Sequence, residues 1–243
     1  MEIQLNENQK AIDENVRQIC AEFDDEYWTK CEEERRFPTE YYTLMAKNGW
    51  LGITMPEEVG GAGLGVTEAA IMMHAATSSG GGYSAASAIH INMFGPHAIV
   101  VHGSAEQKQR WLVPLVKGEQ KACFGVTEPD AGLDTTSIKT FAARAKGGYV
   151  VNGRKMWTST GQVADKILLL TRTVPKDECR KPTHGMTLFY TDLDRRKCEV
   201  RSASTRWAAM RWIRMRSSST GCLSLRRIVS VRRAGASNIF STA

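Results

Sequence analysis

The apolar periodicity of this 243-residue chain changes once, just after Glu119, from a repeat of about 3.6 to a repeat of about 2. The first repeat gathers apolar side chains on one face of a helix, and the second gathers them on one face of a strand. The expected fold class is therefore α+β. A helical domain over residues 1–120 comes first, and a small antiparallel β-domain over residues 121–201 follows.

The punctuation within each part agrees. Over residues 6–30, Ile12, Val16, Ile19, Cys20, Phe23 and Trp28 recur at spacings of three and four and make one apolar helical face. Phe37-Pro38 interrupts, and a helical pattern resumes over 39–48 until Gly49. Pro56 to Gly65 reads as a loop, Thr67 to Thr77 as a helix of small residues, and Ser78 to Gly82 as a second glycine loop. Ser104 opens another helix. Its hydroxyl can cap the amide of Gln107 while the Gln107 side chain reaches back, and Gly118 ends that helix. Beyond Glu119, Ala122 to Val126 reads as a strand. Thr140 to Ala145 and Tyr149 to Val151 form a hairpin around Gly147-Gly148, and Asn152-Gly153 reads as a further tight turn before Lys155 to Thr158. Lys166 to Arg172 and Met186 to Thr191 complete the strands.

Composition narrows the function. A hydrophobic fraction of 42% and a charged fraction of 24% are those of an ordinary folded domain. No apolar run approaches the ~18 residues of a membrane span, and the polar start MEIQLNENQK lacks the apolar stretch of a signal peptide, so a cytoplasmic location is expected. The six cysteines contain no C-x-x-C pair and the five histidines no H-E-x-x-H, so reduced thiols and no metal site are expected. Residues 202–243 hold eight of the 32 basic residues and none of the 26 acidic ones. The net charge of +6 thus arises in that segment, and no nucleic-acid partner is expected of the rest. Gly61, Gly63 and Gly65 fail the G-x-G-x-x-G pattern, because Val66 stands where the third glycine belongs.

Four motifs then occur in order: Gly49-Trp50-Leu-Gly-Ile-x-x-Pro56-Glu-x-x-Gly60-Gly-x-Gly63, Gly103-x-x-x-Gln107-Lys-x-x-Trp111-Leu, Gly125-Val-Thr-Glu-Pro-x-Ala-Gly-x-Asp134, and Asn152-Gly153-x-Lys155-x-Trp157-Thr158-Ser159. Over about residues 1–201 the chain resembles the acyl-CoA dehydrogenase family. The resemblance implies FAD as cofactor, with Phe124, Val126, Thr127, Gly132, Leu133, Trp157, Thr158 and Ser159 lining it. The isoalloxazine ring needs an apolar or aromatic wall and hydrogen-bond donors at its polar edge, and these residue types supply both. Leu133 stands where the family usually has Ser or Thr, so a hydroxyl contact to flavin or acyl substrate is lost there. Phe124 replaces the usual Tyr and keeps the ring, and Ser159 replaces Thr and keeps the hydroxyl.

The resemblance implies α,β-dehydrogenation of an acyl-CoA, with electrons passed to an electron-transferring flavoprotein. Acyl-CoA oxidase and flavin monooxygenase activities use the same scaffold and stay open as alternatives. In the family a C-terminal helical bundle follows, carrying the glutamate base and most of the homo-oligomer interface. Residues 202–243 do not resemble it: Arg and Ser make up 17 of the 42 positions, and acids are absent. This tail is expected to be disordered and to arise from a shifted reading frame. No catalytic residue is assigned within the chain, which is expected to be inactive by itself. A non-enzymatic fragment that binds through its arginine tail is the remaining alternative.

Overall fold

A computed structural model describes residues 4–146, 148–196, 198–202 and 211–215. The chain forms two compact units that divide between Gln120 and Lys121.

The first unit is helical: α1 (Glu7–Cys20), α2 (Asp25–Glu33), α3 (Thr39–Lys47), α4 (Val66–Thr77), α5 (Gly82–Phe94), α6 (His97–His102) and α7 (Ala105–Val116). The single helical face expected over 6–30 is divided between α1 and α2, because Asp24 starts a new helix: the Tyr27 amide donates to its carboxylate at 2.8 Å. Gly49 ends the α3 region at φ +81°, a conformation glycine adopts without strain. The cap at Ser104 forms as the sequence implies. The Gln107 amide donates to Ser104 Oγ at 3.2 Å, and the Ser104 amide donates to Gln107 Oε1 at 2.9 Å. Helix α1 packs on α4, and α4 on α5. Val16, Tyr41, Met45, Met72, Ile89 and Leu112 are buried in this unit.

The second unit is a sheet of β1 (Ala122–Gly125), β2 (Phe141–Ala145), β3 (Gly148–Lys155), β4 (Lys166–Arg172), β5 (Met186–Asp192), β6 (Cys198–Ser202) and β7 (Arg211–Met215). Strand β5 pairs antiparallel with the whole of β4, and β2 with β3. The expectation of an antiparallel sheet needs one correction. Strand β1 runs parallel to Lys166–Leu169 of β4, and β2 meets Arg172 of β4 in parallel. The chain between β1 and β4 contains a complete hairpin, which gives it the length a parallel return requires. Cys123, Ala142, Val151, Ile167, Leu169 and Phe189 form the core of this unit.

Two further expectations are corrected. Asn152-Gly153 is not a turn, since β3 runs through it to Lys155, with Asn152 paired to Phe141 and Gly153 to Met215. Glycine is needed there for close approach: a Cβ on Gly153 would lie 2.2 Å from Thr140 Oγ1 and 2.6 Å from Thr140 Cβ. Strand β7 lies inside the segment expected to be disordered, and it pairs antiparallel with both β3 and β6. Its Trp212 and Ile213 are residue types that favour strands. The remainder of that segment, 203–210 and 216–243, lies outside the described residues.

Gly153→Ala is expected to lower the unfolding free energy by about 1–3 kcal/mol through overpacking against Thr140. Urea unfolding of the full chain measures this, and an unchanged midpoint would contradict the close approach.

Candidate functional site

Two loops of the second unit carry seven of the eight residues singled out in the sequence, and Phe124 lies in the strand before the first. The first leaves β1 at Gly125 and runs to β2, and the second leaves β3 at Lys155 and runs to β4. Phe124 lies in β1 opposite Leu168, and Val126 and Thr127 are half-buried. Gly132 is exposed, and a Cβ there would touch nothing within 4 Å. Leu133 is fully exposed. In the second loop, Trp157 is half-exposed at φ +59° and Thr160 sits at φ +64°. Non-glycine residues are uncommon in this left-handed region. Thr158 is wholly buried, and its Oγ1 has no hydrogen-bond partner among the described residues. Ser159 is half-buried, and its amide donates to Trp157 O at 3.1 Å.

The structure brings the starts of the two loops together. The Met156 amide donates to Thr127 O at 2.9 Å. Lys155 Nζ donates to Val126 O and to Glu128 Oε1, each at 2.8 Å. The far part of the first loop is not drawn in, for the Leu133 side chain is fully exposed to solvent. Beyond it the chain is held by Asp134, whose carboxylate accepts from the Thr136 amide at 3.0 Å and from the Ser137 hydroxyl. Buried Arg172 donates to Thr136 O at 2.8 Å and to His184 O at 3.0 Å. Arg195 braces the second loop by donating to the carbonyls of Gly161 and Ala164 at 3.0 and 3.1 Å.

Glu128 and Lys155 were not among the residues expected to matter, although both lie in the quoted motifs. Glu128 is 6% exposed and Lys155 is wholly buried. The Glu128 carboxylate also accepts from the amides of Lys139 (2.6 Å) and Thr140 (3.0 Å). Burial pushes the Glu128 carboxyl up, but hydrogen bonds from Lys155, Thr140 and the Lys139 amide outweigh it and hold the group below its ordinary range. Burial pulls the Lys155 ammonium below the ordinary lysine value, against the pull of Glu128 in the other direction. A signal for this pair was present in the strand pattern. Val151 and Lys155 share the inward face of β3, and a lysine on an inward face needs a buried partner.

The fold, a helical unit followed by a sheet, is shared with solved structures. The acyl-CoA dehydrogenase of Geobacillus kaustophilus matches with a TM-score of 0.79 at 21% identity, over 94% of this chain and 60% of that one. A structure described as the FAD complex of PigA matches with a TM-score of 0.80 at 22% identity, over 94% of this chain and 59% of that one. Sequence relationships are closer. The family profile "Acyl-CoA dehydrogenase, N-terminal domain" matches residues 6–119, and "Acyl-CoA dehydrogenase, middle domain" matches residues 123–217. The mitochondrial isovaleryl-CoA dehydrogenase of Solanum tuberosum is 35% identical over 187 residues, 76% of this chain and 44% of that protein. The short-chain-specific acyl-CoA dehydrogenase of Clostridium acetobutylicum is 32% identical over 189 residues, 78% of this chain and 48% of that protein. The chain belongs to the acyl-CoA dehydrogenase family. It spans about half the length of the curated relatives it matches.

Glu128 has a lowered pKa in the folded chain, so its contribution to stability is present above the unfolded value of about 4.3. That contribution is lost as pH falls through the folded value. Glu128→Gln is expected to cost about 3–5 kcal/mol at pH 7, because Lys155 is left buried without its counter-charge. The difference between wild type and variant should close as the pH is lowered below about 4. Urea unfolding over that range tests it; a difference independent of pH would contradict an ionised Glu128.

Proposed function

We propose that the two joined loops of the second unit hold FAD, and that the chain is the helical and flavin-binding part of an acyl-CoA dehydrogenase. One observation carries this reading: on a short loop whose start is bonded to the other loop, Trp157 is half-exposed in a left-handed conformation with the half-buried Ser159 two residues on. Trp157 offers an aromatic wall, Ser159 a hydroxyl, and the amides of Val126, Thr127 and Gly132 offer donors at the polar edge. Leu133 and Phe124 offer apolar contact. When bound, FAD supplies the hydride acceptor for α,β-dehydrogenation of an acyl-CoA thioester. An electron-transferring flavoprotein is the proposed acceptor in turn, and a reducing compartment such as the cytoplasm suits the unpaired cysteines among the described residues.

The carboxylates on the first loop are engaged in other work. Glu128 is paired with Lys155, Asp130 with Lys139, and Asp134 caps its own loop. None is set to take the α-proton, so no catalytic base is assigned to these loops. The chain alone is therefore proposed to bind flavin while turning over acyl-CoA little or not at all. The Arg/Ser-rich composition after Arg201 is proposed to reflect a shifted reading frame. Nucleotide sequence across codon 202 and beyond decides that point, and an unshifted frame encoding the same product would overturn it.

Helices long and apolar enough to cross a membrane are absent among the described residues. Purified chain is expected to bind FAD and to show near-background dye reduction with isovaleryl-CoA or octanoyl-CoA; robust turnover would overturn the assignment of the base elsewhere. Trp157→Ala is expected to weaken FAD binding about tenfold through loss of the aromatic wall. Its far-UV circular dichroism should be unchanged, and an unaltered FAD affinity would count against the site.

A further inference from the structure

Lys155 is the last residue of β3, and the loop bearing Trp157, Thr158 and Ser159 begins at the next residue. Its aliphatic stem lies along Gly125, where an added Cβ would stand 3.3 Å from Lys155 Cγ. Its ammonium reaches Val126 O and Glu128 Oε1 on the other loop. Glu128 in turn accepts from the amides of Lys139 and Thr140, at the point where the first loop returns to β2. One buried ion pair therefore joins three backbone segments: the start of the first loop, its return, and the start of the second.

We propose that Glu128 and Lys155 are positioning residues, a buried latch that fixes the two loops relative to each other and so shapes the flavin surface they form. The proposal rests on the reading that these loops hold FAD. A pair that served stability alone could be exchanged for neutral side chains of similar volume without loosening either loop. A latch could not, because an apolar side chain at position 155 no longer donates to Val126 O. The remaining backbone tie between the loop starts, from Met156 to Thr127, would then stand without the ionic support beside it.

Amide hydrogen exchange on the full chain without FAD tests this, followed by FAD titration. The variants are Glu128→Gln/Lys155→Met, which removes both charges, and Glu128→Asp, which keeps the charge but shortens the reach. In the double variant, exchange at residues 126–134 and at 156–160 should rise together by about tenfold or more, while β4 and β5 keep wild-type rates. The FAD dissociation constant should rise by a similar factor. Wild-type exchange in both loops, or a rise confined to one loop, would overturn the latch. If the double variant does not fold, Glu128→Asp decides: a joint rise supports the latch and wild-type rates overturn it. If wild-type chain takes up no FAD, the functional reading fails, and the exchange rates still decide whether the pair holds the loops.

Discussion

A lysine ammonium with no solvent contact is tolerated only when a counter-charge and further acceptors replace its water. In this protein Lys155 meets that requirement with Glu128 and the Val126 carbonyl, and Glu128 meets its own with two backbone amides besides. Each ion costs several kcal/mol to bury, so the arrangement holds only if all partners stay in place. The paths of both loops are thereby tied to one buried interaction. The half-exposed Trp157 and the half-buried Ser159 sit just beyond it, on the loop that follows Lys155.

Much of the fold was legible because it depends on local chemistry. Ser104 and Gln107 cap a helix with their own side chains, so four residues suffice to predict its start. The apolar run Lys166 to Arg172 is a strand whichever neighbours it has, and it lies where the pattern puts it. What the sequence concealed depends on distant partners. Asn152-Gly153 has the composition of a turn, but Gly153 is glycine because Thr140 presses against it. The parallel pairing of β1 with β4 joins residues more than forty positions apart, and no local pattern encodes its direction. Residues 211–215 were obscured by the arginines around them, though Trp212 and Ile213 favour a strand.

The site was legible in part, through motifs rather than periodicity. Seven of the eight expected residues fall on two loops whose starts are joined and Phe124 on the strand before them, while the Leu133 side chain stands in solvent. The charged members of the same motifs passed unnoticed because Glu and Lys are usually surface residues. Their burial emerges only when β3 is given a register that points Lys155 inward with Val151. Membership of the acyl-CoA dehydrogenase family follows from matches across both units, and the chain covers about half of each curated relative compared above.

The joined loops are proposed to be where FAD binds. Backbone chemical-shift mapping of the full chain during an FAD titration tests it most directly. Saturable perturbations greatest at residues 124–134 and 156–160 are expected. Perturbations greatest on the helices of the first unit, or none at saturating FAD, would contradict it.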